Sequence, residues 1–129
     1  MMANKIIFRR PELHVMLREP HGLVGRHLAK RGAMIVAAAK RQVGVKTGAL
    51  RASIHMRYVR RGPGQAIQVG SPLKYALAHH EGTRPHLIVP NRARVLRFSA
   101  GGRVVYTHAV RHPGTRANKY LTDNLYLIR

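Results

Sequence analysis

The sequence predicts an α+β domain with a mainly antiparallel sheet, and three observations carry this prediction. A helical apolar repeat marks a long N-terminal helix, alternating segments around glycine-rich turns mark two hairpins, and a second helical repeat closes the chain. The expected order is helix, hairpin, short helix, strand, hairpin, helix. Two hairpins plus one strand would then form the sheet, packed by the long N-terminal helix and a C-terminal helix.

Residues 1–21 are predicted to be an N-terminal arm that precedes a single domain of residues 22–129. Within the arm, Lys5 to Phe8 favour a short strand, and Glu12 to Arg18 favour one or two helical turns. The prolines at 11 and 20 argue against a long element. The arm either reaches onto a neighbouring subunit or is a poorly ordered terminus.

The long helix is predicted from Leu23 to Val43, with Gly44 as its C-terminal cap. Spacings of three and four place one apolar stripe on this helix, made of Val24, Leu28, Gly32, Ile35, Ala39 and Val43. Glycine inside a helix costs about 1 kcal/mol relative to alanine. We therefore expect Gly25 and Gly32 to permit close approach of another backbone.

The first hairpin is predicted from the alternation of Leu50 to Tyr58, a turn at 60–64 and a return strand at 65–70. The second is predicted from 95–99 and 103–110, and residues 111–114 are expected to form a loop. The final helix is expected to begin at about Arg116, because the apolar positions after it have helical spacing.

Residues 75–90 read either as an active site, with Glu81 as a base among histidines, or as a structural corner. Ser71-Pro72 favours a helix start, and Gly82 with a positive φ would end that helix near His80. Pro85 then favours an extended exit into a buried strand at 86–89. We favour a corner or subunit interface with Glu81 fixed by an arginine, either Arg84 or one from a neighbouring subunit; the residues of this corner are Glu81, Gly82, Thr83 and Arg84.

Composition excludes several kinds of site and gives the chain a strongly basic net charge. The 129 residues suffice for one domain, the absence of cysteine excludes disulfides and thiolate metal sites, and 5% aromatics predict a thin core. No apolar run approaches the roughly 18 residues that span a bilayer, so we expect a cytosolic protein or a particle assembled in the cytosol. Twenty-four Lys and Arg against four acids give a net charge of +20, which indicates a polyanion or acidic partners, the alternative being a solvated basic surface.

Candidate catalytic and metal-binding residues are few. The serines at 53, 71 and 99 lie outside any nucleophile setting, and the four carboxylates are too scattered to pair. Metal binding is the stronger rival, yet neither candidate group of ligands has a spacing that converges on one ion. The groups are His79, His80, Glu81 and His86, or His108 and His112. We expect no catalytic residue, no cofactor and no metal, and contacts to phosphates rather than base-specific readout.

Three motifs in order resemble a family of small tailed-phage morphogenesis proteins. They are Val45 to Ile54, then Tyr75-Ala76 with Glu81-Gly82-Thr83, then His112-Pro113-Gly114-Thr115 before an amphipathic end. The chain is similar from Val45 onward, about two-thirds of its length, to the minor-tail-protein-Z-like tail-completion proteins of the neck between head and tail. It departs from them by lacking a proline-rich approach to the last helix, and residues 1–21 have no counterpart.

The resemblance implies a structural protein of the phage head–tail junction without enzymatic activity or cofactor. It implies a homo-hexameric ring around the DNA channel, joining tail to head in the virion neck after assembly in the bacterial host cytoplasm. The implied partners are further copies, head-side connector or stopper proteins, tail terminator or tail tube proteins, and genomic double-stranded DNA, but no membrane.

Contacts to DNA or to an acidic partner are predicted at five arginines: Arg57, Arg60, Arg61, Arg92 and Arg94. The composition leaves two alternatives to the neck protein. One is a free basic nucleic-acid-binding protein of the ribosomal or nucleoid type. The other is a small basic ribonuclease toxin that uses His and Arg, which the scattered acid and base groups disfavour.

Overall fold

A computed structural model describes residues 6–129 and gives two compact units. The first unit runs up to Ala76 and also takes Lys119–Arg129, and the second unit is Leu77–Asn118. Helices and antiparallel strands occur together, so the predicted mixed α+β class is confirmed. The boundary between arm and domain at residues 21 and 22 stays a prediction.

The first helix, α1, spans Arg10–Arg18 and is longer than the one or two turns predicted for the arm. Pro11 lies in its first turn, where its missing N–H would have no helical acceptor in any case. The predicted strand at 5–8 is wrong for Ile6–Phe8, which are exposed and carry no strand pairing, and Lys5 lies outside the described residues.

The second helix, α2, spans Leu23–Gln42 and confirms the predicted long helix. Its C-terminal cap is Val43 rather than Gly44, because Val43 already has an extended backbone and its N–H bonds Ala39 O. A Cβ at Gly25 would lie 2.6 Å from Glu19 O, so the expected close backbone approach is confirmed there. At Gly32 the expectation is wrong, because the neighbours are the side chains of Met56 and Ile67.

A short helix, α3 (Ala49–Ser53), replaces the first half of the predicted first strand. Leu50 and Ile54 are both buried, and their spacing of four fits a helical turn as well as a strand. The local hydrogen bond from Ser53 Oγ to Leu50 O stabilises the helical choice. The hairpin then follows with β1 (His55–Arg61) and β2 (Gly64–Gly70), paired from His55↔Gly70 to Arg61↔Gly64.

The C-terminus forms a 3₁₀-helix, Thr122–Ile128, rather than the α-helix predicted from Arg116. Polar bonds to α2 fix this segment: Gln42 Nε2 donates to Asp123 Oδ2 at 2.8 Å, and Asn124 Nδ2 donates to Gln42 Oε1 at 2.9 Å. Asn124 is itself buried, so its amide needs these partners. The helical spacing of the apolar residues was therefore a correct signal for a helix and a misleading one for its type and start.

The core of the first unit is small. It consists of Ala39, Val43, Leu50, Ile54, Ala76 and Tyr120, of which only Ile54 and Tyr120 are large side chains buried almost completely. Burial raises the pKa of the Tyr120 phenol above its ordinary value, because the apolar surroundings penalise the phenolate. This agrees with the thin core expected from the aromatic content.

The second unit continues α4 (Ala76–Glu81), whose first residue lies in the first unit. Its strands are β3 (His86–Ile88), β4 (Leu96–Ala100), β5 (Arg103–Thr107) and β6 (Val110–His112). The second hairpin is thus confirmed as β4–β5, whereas the loop predicted at 111–114 is partly strand, because β6 pairs with β3.

The single sheet predicted from the sequence is wrong for the described residues, whose strands form three separate two-stranded antiparallel sheets. The strand predicted as buried at 86–89 is also wrong, since every residue of β3 is exposed and so is Val89. An apolar run indicates a buried strand only if a wider sheet receives it, and β3 has β6 alone. No helix of the described residues is long and apolar enough to cross a membrane.

Candidate functional site

The corner predicted after α4 exists, although the helix begins later than expected. Ser71 Oγ accepts the N–H of Leu73 at 3.2 Å, so the predicted serine cap forms a local turn, and the helix starts only at Ala76. The helix ends at Glu81, and Gly82 follows with a φ of 75°. The predicted helix end and the positive φ at Gly82 are therefore confirmed.

The corner is closed by a second segment that the sequence did not place there. Thr83 and Thr115 form an antiparallel bridge in which each backbone N–H donates to the other carbonyl, at 3.0 and 3.1 Å. Their Oγ1 atoms lie 3.1 Å apart, and the N–H of Thr115 also reaches Thr83 Oγ1 at 3.0 Å. We call Gly82, Thr83, Gly114 and Thr115 the glycine–threonine clasp.

Both glycines of the clasp are required by the opposite segment. Gly82 and Gly114 have φ values of 75° and 86°, a region that side-chain-bearing residues rarely adopt. A Cβ at Gly82 would lie 2.6 Å from Thr115 O, and one at Gly114 would collide with Thr83 O. Two Gly-Thr steps in the sequence were the available signal for this pairing.

Glu81 has a histidine neighbour in the structure. One carboxylate oxygen, Oε1, lies 2.6 Å from Nδ1 of His80, whose side chain is buried while that of Glu81 is half-exposed. Arg84 is exposed. Pairing of Glu81 with an arginine from another subunit stays a prediction.

The histidines near the clasp hold backbone groups. His86 and His112 face each other across β3 and β6 with ring centroids 5.0 Å apart. His86 Nδ1 donates to Arg84 O at 2.8 Å, and His112 Nδ1 accepts the N–H of Gly114 at 3.0 Å. In residues 6–129 no group of three or more His, Cys, Asp or Glu is placed to hold a metal ion.

The arginines predicted to contact DNA or an acidic partner lie in both units. In β1, Arg57 donates Nε–H and one terminal N–H to Gln68 Oε1 at 2.9 and 2.8 Å, which holds its guanidinium against its cross-strand partner in β2. Arg60 and Arg61 lie at the hairpin tip and are exposed, with Arg60 3.9 Å from Glu19. An exposed pair at that distance contributes little stability.

Arg92 and Arg94 lie in the second unit, in the link between β3 and β4, and both side chains are exposed. The carbonyl of Arg94 accepts a hydrogen bond from His108 Nδ1 at 3.1 Å, so the link is tied to the segment after β5. Both sets of arginines are therefore exposed to solvent, and the backbone that carries each set is held by local hydrogen bonds. Their contacts to DNA or an acidic partner stay predictions.

A comparison with known protein families finds a match over the first part of the chain. Residues 21–79 match the HK97-gp10-like family of phage tail components. The description of that family is "Bacteriophage HK97-gp10, putative tail-component". A search of curated proteins and a search of solved structures gave no match.

The HK97-gp10-like segment comprises α2, α3, the β1–β2 hairpin and most of α4. It includes the motif from Val45 to Ile54 and the Tyr75-Ala76 step, and it extends the resemblance to the long helix. Residues 80–129, which hold the clasp, lie beyond the matched segment. The resemblance to a phage tail family is confirmed over residues 21–79.

Proposed function

We propose that this protein is a structural component of the phage head–tail junction that forms a homo-hexameric ring around the DNA channel and joins tail to head. The observation that carries the proposal is the match of residues 21–79 to a phage tail-component family. The motifs around Gly82 and Gly114, which lie outside that match, support the more specific assignment to tail completion.

The chemistry of the corner supports a structural role without enzymatic activity. Of the residues that first suggested an active site, His86 Nδ1 donates to Arg84 O, and Glu81 Oε1 lies 2.6 Å from Nδ1 of His80. Thr83, Thr115 and His112 bond backbone atoms or each other, and these bonds define the path of the chain. None of these contacts aligns a nucleophile with a base. A closed ring of identical subunits requires no catalytic group.

The charge of the chain supports a position close to DNA or acidic neighbours. Each copy carries +20, and several copies around one axis add their fields. In this proposal the tip arginines Arg60 and Arg61 and the link arginines Arg92 and Arg94 face the DNA or the neighbouring neck proteins. Those neighbours are the head-side connector or stopper and the tail terminator or tube.

Light scattering on size-exclusion chromatography, combined with negative-stain electron microscopy of the purified protein, tests the ring. The proposal expects closed rings whose mass is a multiple of 14.5 kDa, close to six copies at high concentration. A monomer at all concentrations that binds RNA tightly, with an affinity that falls steeply with salt, would instead support a free nucleic-acid-binding protein.

A further inference from the structure

The second unit has almost no interior of its own. Among residues 77–118 the structure buries no apolar side chain, and its one buried residue is His80. Seven large apolar side chains of this unit are exposed: Leu77, Leu87, Ile88, Val89, Phe98, Val104 and Tyr106. Exposed apolar residues at this density are typical of a surface that another molecule covers.

The same unit carries arginine charge that nothing in it neutralises. It contains no lysine, and apart from its histidines its basic residues are arginines, each exposed, at positions 84, 92, 94, 97, 103, 111 and 116, whereas Glu81 is its sole acid. In the described residues none of these arginines forms an ion pair, because the carboxylate of Glu81 lies against His80. Arginine in place of lysine favours paired hydrogen bonds to planar carboxylates or to phosphates.

Arginine and apolar groups share one face of the β4–β5 hairpin. Arg97 pairs with Tyr106 and Ser99 with Val104, and residues directly opposite each other in a ladder point to the same side. Arg97 Nε donates to Tyr106 Oη at 3.3 Å, while Tyr106 is 63% and Val104 is 50% exposed. On the other face Leu96, Val105 and Thr107 are half-buried, whereas all four residues of the first face are exposed.

We propose that the face formed by Arg97, Ser99, Val104 and Tyr106 is a docking surface for an acidic protein segment that presents carboxylates beside apolar side chains. Arginine and tyrosine are the residue types that most often dominate the energy of a protein interface. Both ribbon edges of β4–β5 lack a further strand in the described residues, so an extended segment also finds backbone groups to pair with.

Charge disfavours a second copy of this chain as the main occupant. The chain has four acids in total, and Glu12, Glu19 and Glu81 each already lie beside a basic side chain. Seven arginines of one unit therefore outnumber the carboxylates that a whole copy offers. Duplex DNA would neutralise the arginines but leave aliphatic side chains such as Val104 uncovered, which favours an acidic protein.

The test uses the full-length protein and a fluorescent peptide of about 12 residues in which Glu alternates with Val and Thr, suited to pairing with a strand edge. Three comparison ligands are used. They are polyglutamate, a variant of the fluorescent peptide in which every Glu is replaced by Gln, and a short duplex DNA. The variants are Arg97→Glu, Tyr106→Ser and Val104→Ser. Arg103→Glu is the matched control, because it makes the same charge change on the opposite face of the same hairpin.

The proposal expects the acidic–apolar peptide to bind best of the four ligands. Arg97→Glu and Tyr106→Ser should each weaken it about tenfold, and Arg103→Glu less than about threefold. The proposal would be overturned if Arg97→Glu and Arg103→Glu lost the same amount of affinity for the peptide, or if polyglutamate bound as tightly as the peptide. Either result would show that binding depends on unspecific charge attraction alone. Preferential DNA binding that depends on Arg97 would overturn it in favour of a nucleic-acid surface.

Thermal melts of the variants separate loss of binding from loss of fold, and Val104→Ser gives a second apolar readout that changes no charge. All three altered side chains are exposed or half-exposed, so we expect their melting temperatures to stay close to that of the wild type. The result is independent of the ring, because a protein that forms no ring still carries this hairpin face.

Discussion

The hydroxyl oxygens of Thr83 and Thr115 lie 3.1 Å apart although 32 residues separate the two threonines along the chain. This pair brings together two Gly-Thr steps that sequence reasoning treated as separate motifs. Because the backbones also exchange two hydrogen bonds, the clasp fixes the exit of α4 and the return of the chain after β6.

Thr83→Val and Thr115→Val test the clasp as a coupled unit. Each substitution should lower the free energy of unfolding by about 1 kcal/mol, because each removes a hydroxyl that bonds within the clasp. Once one hydroxyl is gone the second has lost its partner, so the double variant should lose less than the sum, by about 0.5 kcal/mol or more. Urea titrations of the four proteins measure the cycle, and strict additivity would show that the hydroxyls do not interact.

Gly82→Ala and Gly102→Ala separate backbone strain from steric collision. The two glycines have nearly the same φ, 75° and 76°, but a Cβ at Gly102 meets nothing within 4 Å, while one at Gly82 meets the backbone of Thr115 and Ala117. Gly102→Ala should therefore cost about 1 to 2 kcal/mol through strain alone, and Gly82→Ala clearly more. Equal losses in denaturant titrations would contradict the close approach at the clasp.

Gly25→Ala and Gly32→Ala compare two glycines of the same helix. A Cβ at Gly25 would lie 2.6 Å from the backbone oxygen of Glu19, whereas at Gly32 it would lie 2.9 Å from the flexible sulfur of Met56. Alanine favours the helix by about 1 kcal/mol at either site. We expect a lower melting temperature for Gly25→Ala and a change near zero for Gly32→Ala. A larger loss for Gly32→Ala would contradict the close backbone contact at Gly25.

Stability should fall at high pH because of Tyr120. Burial raises the pKa of this phenol, so its contribution is fully present below the ordinary value of about 10 and is lost as the pH rises through the folded-state pKa. Melting temperatures between pH 8 and 12 measure this loss. Tyr120→Phe should make this decline in melting temperature smaller, and an identical decline in both proteins would assign it to other groups.

Arg60→Glu together with Arg61→Glu tests the proposed role of the hairpin tip. The pair should lower phage infectivity by impairing head–tail joining or DNA retention, because it reverses charge where DNA or an acidic neighbour is expected. Arg26→Glu with Lys30→Glu makes the same net change on exposed positions of α2 and should have the smaller effect. Unchanged titres for the tip variant would count against the contact.

Patterns within short stretches of this sequence predict the features that depend only on neighbouring residues. The long helix follows from its apolar stripe, the β4–β5 hairpin from its Gly-Gly turn, and the positive φ at Gly82 from its position after α4. These features depend on neighbours in sequence, so periodicity and turn chemistry are sufficient to find them.

What the sequence missed depends on partners that are distant along the chain. Leu50 and Ile54 fit both periods, and their burial in the first unit accompanies the helix α3 rather than a strand. The pairing of β3 with β6 has no local signature, and the two Gly-Thr steps do not by themselves show that Thr83 pairs with Thr115. One sheet is therefore predicted where three two-stranded sheets exist. His86 and His112 suggest catalysis or metal binding in the sequence, because the sequence does not show the backbone groups that they bond in the folded chain.

Electron microscopy of particles made by a phage that lacks this gene tests whether the protein joins tail to head. We expect filled heads and separate tails that do not join, and joining restored when the purified protein is added to the mixture. Complete, infectious virions in the absence of the protein would contradict a role in connecting tail to head.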